Sequence, residues 1–555
     1  MSSDRRTKSA ARLGWLSSVL AAGVLAAACG GGGSGSDGPD PGTPDAGAPD
    51  ALVETWAFAD VDGVPNLDDD DGTLVDWDQP PFAADDDYST FVLPATKLAL
   101  IPAGGDVQLA FATATPTVRV FRDGQHVLGG TAGIGPLVIT PTGADLTFAV
   151  EFGAYATASA LEVSARAADG SIAQTTTVTL QAAPLIMNHH LQPAEHVWAV
   201  AVNGNASMIA AFTAALGTSF TAVPGASYGD DIWIQDEIEF ATLTGSAGQR
   251  LDVVIDSIRN RGLDSFPERT LVGPDVIAAT WGTASQRTTY DSFGNLEASP
   301  PVTVGGVEYP FGRIYYGRTA NIGLHALLAG FLASQKVQAP FELPTRWLCV
   351  GHVDEFSSFL PDPASPKGFK LVIADVPSAY ALLQTLPRES SLARFGADHG
   401  YPTVGALLDD AALRALNDDL QADYLEPIIA KFKAELGLTD ADIIRAPSLF
   451  ETVGGCNGRV AALIPGMVNL VVAKVDQTTH VFTADPFFRA AGAPQASDPV
   501  IAAFSQRMPA GLELHFVDDW NVYHLGLGEV HCGTNVKRTP AASWWSAAKH
   551  LLGGN

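Results

Sequence analysis

The residue types that could do chemistry are concentrated in four segments that place acidic, histidine or cysteine side chains within apolar stretches. The first is YGDDIWIQDEIEF, which we predict to be a strand. Because residues two apart share a face of a strand, Gln235, Glu237 and Glu239 would line one face. Asp236 would then project from the other. Three oxygen-bearing side chains on one face are costly unless water or a hard cation meets them. The competing interpretation is an edge strand with a solvated face.

The second segment, RWLCVGHVDEFSSFLPD, carries a histidine and a carboxylate two residues apart. In a strand, His352 and Asp354 would share a face, with Val353 opposite. An imidazole beside a carboxylate is a common arrangement for moving protons. A histidine in an apolar strand is also frequently a satisfied core residue, so the spacing alone leaves both interpretations open.

The third segment, VYHLGLGEVHCGTNVKR, places Cys532 in a polar stretch flanked by glycines. Such a loop allows close backbone approach and keeps a thiol reachable, which favours an activated nucleophile over a packing cysteine. An incidental free cysteine is the alternative.

The fourth region joins VIDSIRNRGL to DSFGNLEASPPVTVGGVEYPFGRIYYG. Arg259 and Arg261 could donate to an anion or a carbonyl group. Oxygen ligands without cysteine or histidine favour calcium over zinc or copper. The candidate ligands here are the side chains of Asp256, Ser257, Asn260 and Glu297.

Two kinds of scaffold must position these segments. From about residue 51 to 177, short apolar runs such as VQLAFAT and LTFAVEF alternate with Gly, Pro and Asp turns, which is typical of an antiparallel sandwich. From residue 184 to the end, strands alternate with helical stretches such as NIGLHALLAGFLASQ, an α/β pattern, and residues 380–450 are more helical. No fixed-period repeat is visible.

An Asp-rich patch, residues 60–87, precedes the strands of the sandwich. Its acidic residues recur with Gly63, Asn66 and Gly72, which would let several oxygens converge on a calcium ion. It is not an EF-hand, because Val64 and Pro65 stand where a ligand and the required glycine would be needed. Solvated coil is the alternative.

The first 29 residues are typical of an export signal. A basic start is followed by the apolar residues 13–28 and then by LAAAC, which resembles the lipobox cut before a lipidated cysteine, here Cys29. The Gly/Ser/Pro/Asp-rich residues 30–50 would be a flexible linker. We therefore predict a bacterial lipoprotein on the cell envelope, at the periplasmic or outer surface, with domains at 51–183 and 184–555.

Charge and cysteine count narrow the function classes. The net charge of −29 on 555 residues repels nucleic acid and anionic membrane surfaces, and it attracts cationic substrates or metal ions. Hydrophobic residues make up 46% and charged residues 17%, so a large core is expected. With Cys29 lipidated, Cys349, Cys456 and Cys532 remain, and an odd number in an oxidising compartment implies at least one free thiol or a mixed disulfide.

Six motifs in order resemble the catalytic domain of protein-arginine deiminases. They are WIQDE-x-E, D-S-x-R-N-R-G-L, D-S-F-G-N-L-E-x-S-P-P-V, G-H-V-D-E-F, M-V-N and G-E-V-H-C-G-T-N, and the similarity covers roughly residues 184–545. The resemblance implies a C-terminal five-bladed α/β-propeller of the guanidino-group-modifying type. An all-β, immunoglobulin-like, calcium-binding sandwich would precede it.

The resemblance also implies the reaction, hydrolysis of the C–N bond of a linear amidine. Peptidyl arginine would become citrulline through a covalent thiouronium on Cys532, with His352 as acid and base. Asp236 and Asp354 would bind the guanidinium. Trp233, Arg261 and Val350 would contact the substrate. A second backbone-binding arginine of some family members is replaced here by Gly526.

Two calcium ions are implied in the catalytic domain, acting as structural activators. The first would take Gln235, Glu239, Glu297 and the carbonyls of Phe293 and Leu296. The second would take Glu237, Asp256, Ser257 and Asn260. The expected partners are arginine-containing proteins or peptides, with no nucleic acid, with membrane contact only through the lipid, and with a homodimer allowed. The alternatives are a deiminase of free arginine or agmatine, and a non-catalytic calcium-dependent surface adhesin.

Overall fold

The computed structural model describes residues 54–70, 72, 75–79, 87–541 and 544–552. The predicted signal peptide 1–29 with Cys29, the linker 30–50 and part of the Asp-rich patch lie outside these residues. Among the helices in the described ranges, none combines the length and apolar character that crossing a bilayer requires.

The N-terminal region forms two mainly antiparallel sheets around one apolar core. The sheet orders are β1-β9-β8-β3-β6 and β2-β7-β4-β5. Side chains alternate between buried and exposed along β2, and apolar residues such as Phe91, Leu109, Phe148 and Val163 fill the space between the sheets. The elements are β1 Val61–Gly63, β2 Ser89–Leu93, α1 Ala95–Leu98, β3 Asp106–Phe111, β4 Val118–Arg122, β5 Gln125–Gly129, β6 Leu137–Ile139, β7 Leu146–Phe152, β8 Ala158–Arg166 and β9 Ile172–Ala182.

The region from residue 186 onward mixes helices with many small sheets, as the α/β pattern predicts. Its strands are β10 Ile186–Met187, β11 Ala194–Ala201, β12 Phe220–Pro224, β13 Ile238–Thr244, β14 Arg250–Asp256, β15 Val276–Ala279, β16 Leu296–Ala298, β17 Val302–Val304, β18 Val307–Tyr309, β19 Ile314–Arg318, β20 Phe341–Pro344, β21 Ser357–Pro361, β22 Phe369–Asp375, β23 Ile443–Pro447, β24 Phe450–Thr452, β25 Val460–Ala462, β26 Val471–Val475, β27 Thr478–Ala484, β28 Leu512–Val517 and β29 Thr534–Arg538. Its helices are α2 Ala206–Leu216, α3 Ile234–Glu237, α4 Ala326–Ser334, α5 Val376–Leu383, α6 Ala393–Asp398, α7 Val404–Asp409, α8 Ala411–Leu420, α9 Glu426–Leu436, α10 Pro499–Ser505 and α11 Trp544–Ala548.

One pairing pattern recurs in five of these sheets. In each, a central strand has one antiparallel and one parallel neighbour: β29-β11-β12, β13-β14-β15, β16-β19-β20, β21-β22-β23 and β26-β27-β28. The repeat lies in the strand pairing and leaves no fixed period in the sequence. The helix-rich stretch 380–450 forms α5 to α9, and their apolar faces pack into the largest hydrophobic core.

The last strand, β29, pairs with β11 and so joins the end of this region to a strand near its beginning. β29 pairs antiparallel with β11, and the turn before β29 holds Cys532. The backbone amide of Gln235 in α3 donates to the carbonyl oxygen of Cys532 at 3.3 Å. Two segments almost 300 residues apart in the chain therefore meet at the thiol.

Two of the predicted strands are wrong. Residues 234–237 form the single helical turn α3, and only from Ile238 does the chain extend into β13. His352 and Asp354 lie in a loop that precedes β21. The shared-face arguments for Gln235, Glu237 and Glu239, and for His352 and Asp354, therefore fail.

Cys349 and Cys456 form a disulfide that joins positions 107 residues apart, with a Cα–Cα distance of 5.5 Å. Among the described cysteines Cys532 is free and buried. This agrees with the free thiol predicted from the odd cysteine count. The disulfide ties the loop just before His352 to the hairpin of β24 and β25, because Cys456 lies between those two strands.

Candidate active site

Cys532 is held in a turn by a buried asparagine. The Asn469 side chain donates from Nδ2 to the Cys532 sulfur at 3.2 Å. Its Oδ1 accepts from the backbone amides of His531 at 2.8 Å and Cys532 at 3.3 Å. One buried amide therefore sets both the backbone of the turn and the position of the sulfur.

The thiol points at a buried carboxylate. Cys532 Sγ donates to Asp354 Oδ2 at 3.2 Å. Burial first, and then the charges of Asp354 and Asp236, raise the pKa of Cys532 well above its usual range. Burial and these two charges therefore favour the protonated thiol over the thiolate.

An open cleft with a volume of about 470 Å³ reaches this thiol. Its walls bring together three of the four predicted catalytic residues, Asp236, His352 and Cys532. The fourth, Asp354, accepts the hydrogen bond from the Cys532 sulfur. The predicted substrate contacts Trp233, Arg261 and Val350 also line the cleft.

His352 faces Asp236 rather than Asp354. Its Nδ1 lies 3.6 Å from Asp236 Oδ1, and its Nε2 lies 2.8 Å from the carbonyl oxygen of Thr289. When Nε2–H donates to that carbonyl, Nδ1 is directed toward the Asp236 carboxylate. The proton-transfer pair predicted from the His352–Asp354 spacing is thus replaced by a pair between His352 and Asp236.

Gly294 leaves the space that the side chains of His352 and Asp354 occupy. A Cβ atom at this position would lie 2.7 Å from His352 Nδ1 and 3.0 Å from Asp354 Oδ2. Any side chain would push apart the imidazole and the carboxylate. Gly294 belongs to a 3-10 turn, Phe293–Asn295, whose carbonyl at position 294 accepts from the Asp354 amide.

His531 links the thiol site to a group of buried acids. Its Nδ1 lies 3.0 Å from Asp354 Oδ2, and its Nε2 lies 3.5 Å from Glu297 Oε1. Burial acts to lower the pKa of His531, but the charges of Glu297 and Asp354 outweigh it, and the net pKa is raised. The His531 ring therefore lies between two carboxylates that favour its protonated form.

The residues of the first predicted calcium site converge beside His531. Gln235 Nε2 donates to Glu239 Oε2 at 2.7 Å and to the Phe293 carbonyl at 3.3 Å. Burial, and after it the charge of Glu297, raises the pKa of Glu239 to about 8. Burial is the main cause that raises the pKa of Glu297 to about 7. A group of buried oxygens that must be protonated to avoid repulsion fits a hard cation. Leu296 opens β16 directly after the turn that holds Phe293.

The second predicted group is brought together only in part. Glu237 is buried, with Oε2 bonded to Arg259 at 3.1 Å and Oε1 without a hydrogen-bond partner among the described residues. Burial raises its pKa to about 8, and the charge of Asp256 adds to this. Ser257 donates its hydroxyl to the Asp291 carbonyl at 2.6 Å, and Asn260 is exposed with a left-handed φ of 52°.

Three acids of the Asp-rich patch and its surroundings also form a candidate cation site. Carboxylate oxygens of Asp68, Asp70 and Asp275 all lie within 4.8 Å of one another. Burial, reinforced by neighbouring acids, raises the pKa of Asp68 to about 6. Asp275 comes from the turn before β15, more than 200 residues away in the chain, and was not predicted.

Arg259 donates to both kinds of acceptor that were predicted for it, and its Nη1 lies 3.0 Å from the carbonyl oxygen of Trp233. Its guanidinium is buried in ion pairs with Asp231 at 3.2 Å and Glu237 at 3.1 Å. Arg261 is exposed at the cleft. At Gly526 a Cβ atom would lie 3.1 Å from the Trp233 ring, so the indole occupies the side of the cleft from which a side chain at 526 would project.

Sequence reasoning missed several residues of this site. Asn469 stands in the M-V-N motif and His531 beside the nucleophile, so their positions were visible but their contacts were not. His190, whose Nε2 lies 3.0 Å from Glu297 Oε2, carried no signal at all.

A buried thiol thus lies beside two carboxylates and an imidazole on an α/β scaffold of small sheets, and such carboxylates can bind a cationic group. The chain belongs to the protein-arginine deiminase family, whose model, "Protein-arginine deiminase (PAD)", matches residues 172–546. It is 36% identical to rat protein-arginine deiminase type-4 over 387 residues, which cover 66% of this chain and 56% of the relative. It is 35% identical to human protein-arginine deiminase type-1 over 405 residues, which cover 67% of this chain and 57% of the relative. The chain thus spans a little over half the length of these relatives.

Alkylation of Cys532 tests whether the pKa of this thiol is raised. Because the pKa of Cys532 is raised, the thiolate forms only as the pH rises, and modification by iodoacetamide should accelerate through pH 9 without a plateau. Asp354→Asn removes the charge 3.2 Å from the sulfur, so the thiol pKa should fall. The rate at pH 8 should then increase about tenfold for each unit of that fall. Mass spectrometry of the peptide containing Cys532 measures the rate.

The matched control is Asp409→Asn, which removes an exposed carboxylate paired with Arg388 and should leave the rate unchanged. A plateau below pH 8 in the unmodified protein, or equal rates for Asp354→Asn and the control, would contradict the proposed environment.

Proposed function

We propose that this protein hydrolyses peptidyl arginine to peptidyl citrulline and ammonia, with calcium as activator. The observation that carries the proposal is the placement of the Cys532 sulfur 3.2 Å from Asp354, in a cleft that also holds Asp236 and His352. A guanidinium is planar and permanently cationic, and two carboxylates can bind its N–H groups by charge-assisted hydrogen bonds. Membership of the family supports the same chemistry.

The charges around the thiol give substrate binding a role in activation. An arriving guanidinium places its positive charge against Asp236 and Asp354, and so offsets part of the negative charge that, together with burial, raises the pKa of the Cys532 thiol. The thiol then yields its proton to His352, and the sulfur bonds to the guanidinium carbon. His352 returns the proton to the departing nitrogen as the C–N bond breaks, which leaves a covalent thiouronium.

Water completes the reaction. His352 accepts a proton from the water that attacks the thiouronium carbon, and the C–S bond breaks to regenerate the thiol. The product side chain is a neutral urea, so Asp236 and Asp354 bind it less tightly than the cationic substrate.

Ammonia release from benzoyl-arginine amide in the presence of calcium tests the reaction. Cys532→Ala should abolish turnover, because no other nucleophile is proposed, while the Asp409→Asn control should retain it. Arg261, exposed at the cleft, supports recognition of a peptide backbone, so the acylated amide should turn over faster than free arginine or agmatine. Equal turnover of all three substrates would favour the small-guanidine alternative. Activity that survives in Cys532→Ala would sink the mechanism.

For calcium, we propose one ion held by Gln235, Glu239 and Glu297 with the carbonyls of Phe293 and Leu296, and a second held through Glu237 and Asp256 with Ser257 and Asn260. What supports this is the buried, mutually repelling carboxylates with raised pKa values, which a divalent cation would neutralise. When bound, the ions supply electrostatic stabilisation of α3, whose Asp236 faces the cleft. The acids Asp68, Asp70 and Asp275 are proposed to hold a further ion.

Glu239→Gln tests the first calcium site. Removing one of its negative charges should raise the calcium concentration needed for half-maximal ammonia release by about tenfold or more, because affinity follows the number of charged ligands. Chelator should abolish activity in the unmodified protein. Glu308→Gln, an exposed residue of β18, is the control and should leave the calcium requirement unchanged. Activity that chelator does not affect would refute the calcium proposal but leave the cysteine mechanism standing.

The finer architecture is also a proposal. The five sheets with the same antiparallel and parallel pairing support a five-bladed propeller of the guanidino-group-modifying type. The two sheets around one core support an immunoglobulin-like sandwich over residues 51–183.

Finally, we propose a lipid-anchored protein of the bacterial cell envelope, acting on arginine-containing proteins or peptides. The Cys349–Cys456 disulfide is consistent with an oxidising compartment. On expression in a bacterial host, the protein without substitutions should carry the lipid and partition into the detergent phase of a phase-separating detergent. The Cys29→Ala variant should partition into the aqueous phase. Cys532→Ala should partition like the unmodified protein. Equal partition of Cys29→Ala and the unmodified protein would refute the anchor.

A further inference from the structure

A second cluster of chemically capable side chains lies on the sheet β26-β27-β28, apart from the thiol cleft. The parallel register of β27 and β28 pairs His480 with Glu513, and Phe482 with His515. Because residues two apart on a strand share a face, Glu513 and His515 stand on the same face as His480. Two imidazoles and a carboxylate therefore meet on neighbouring strands.

The distances among their side chains suit a metal ion. His480 Nδ1 lies 3.0 Å from His515 Nε2. The carboxylate of Glu513 lies 3.7 Å from the first of these nitrogens and 3.6 Å from the second. Ligands about 2.0–2.2 Å from a tetrahedral zinc ion stand about 3.3 Å from one another. The three observed separations bracket that value.

Packing holds the two histidine side chains of this cluster in place. The ring of His515 stacks on Phe482 with centroids 4.5 Å apart, and Phe482 stacks on Phe212 of α2 at 3.9 Å. His480 is buried, whereas the Glu513 side chain is 57% exposed.

We propose that His480, Glu513 and His515 bind one zinc ion, with a fourth position open to water. Two imidazole nitrogens and one carboxylate suit zinc rather than calcium, which takes oxygen ligands. The site is independent of the deiminase reaction and of the acids proposed to bind calcium. A zinc ion there would cross-link β27 to β28, which is at the edge of its sheet.

Calorimetric titration with zinc chloride tests the site. All proteins carry Cys532→Ala, so that the thiol cannot bind zinc, and an excess of calcium occupies the oxygen-rich sites. The parent should bind one zinc ion that is lost, or weakened at least about tenfold, in His480→Gln and His515→Gln. The control is His196→Gln, a strand histidine whose Nε2 contacts the hydroxyl of Thr221, and it should bind zinc like the parent.

Glu513→Gln keeps the test decisive if the histidine variants unfold, because this exposed side chain is not needed for packing. Its zinc affinity should fall, and cobalt bound to the parent should show the strong visible absorption of four-coordinate geometry that Glu513→Gln weakens. Equal zinc affinity in the parent, Glu513→Gln and His515→Gln would overturn the proposal. So would a parent that binds no zinc in excess calcium.

Discussion

Negative charge buried around a thiol is the constraint on which the rest of this structure depends. Asp354 contacts the Cys532 sulfur, and Asp236 lies in the same cleft with its own pKa raised by burial. Two such groups are costly when no cation faces them, and they make the sulfur a poor nucleophile. A guanidinium in the cleft would offset part of this negative charge and could pair with both carboxylates. The buried negative charge therefore favours a cationic side chain over a neutral one.

The scaffold meets this constraint by bringing distant segments to one point. The pairing of β29 with β11 fixes the turn that carries Cys532, and α3 hydrogen-bonds to that turn through Gln235. The helical turn α3 also directs the side chains of Gln235 and Glu237 to different partners. Gln235 reaches Glu239 four residues on, whereas Glu237 turns toward Arg259. One short segment therefore contributes acids to both of the proposed calcium sites.

Much of this could be predicted from the sequence, and the failures have physical causes. Glycines around Cys532 predicted a loop, and the alternation of strand and helix patterns predicted an α/β region. The strand predicted for residues 234–237 failed because a single helical turn leaves too little periodicity to recognise. Asp275 and His190 join their clusters through contacts across long stretches of chain, and one sequence has no signal for such contacts. The identity of the His352 partner depended on the loop, which strand geometry could not describe.

A continuous line of side chains connects the first proposed calcium site to the nucleophile. Glu297 contacts His531, His531 contacts Asp354, and Asp354 contacts the sulfur, at 3.5, 3.0 and 3.2 Å. The imidazole of His531 lies between these two carboxylates, and their charges favour its protonated form. A calcium ion on Glu297 would compete with His531 for that carboxylate, and the repulsion between the two cations would weaken the hold of His531 on the site. Asp354 would then be released to pair with a guanidinium. In the proposed arrangement Glu297 would hold the calcium ion, and His531 and Asp354 would transmit its charge to the cleft without contact between the ion and the substrate.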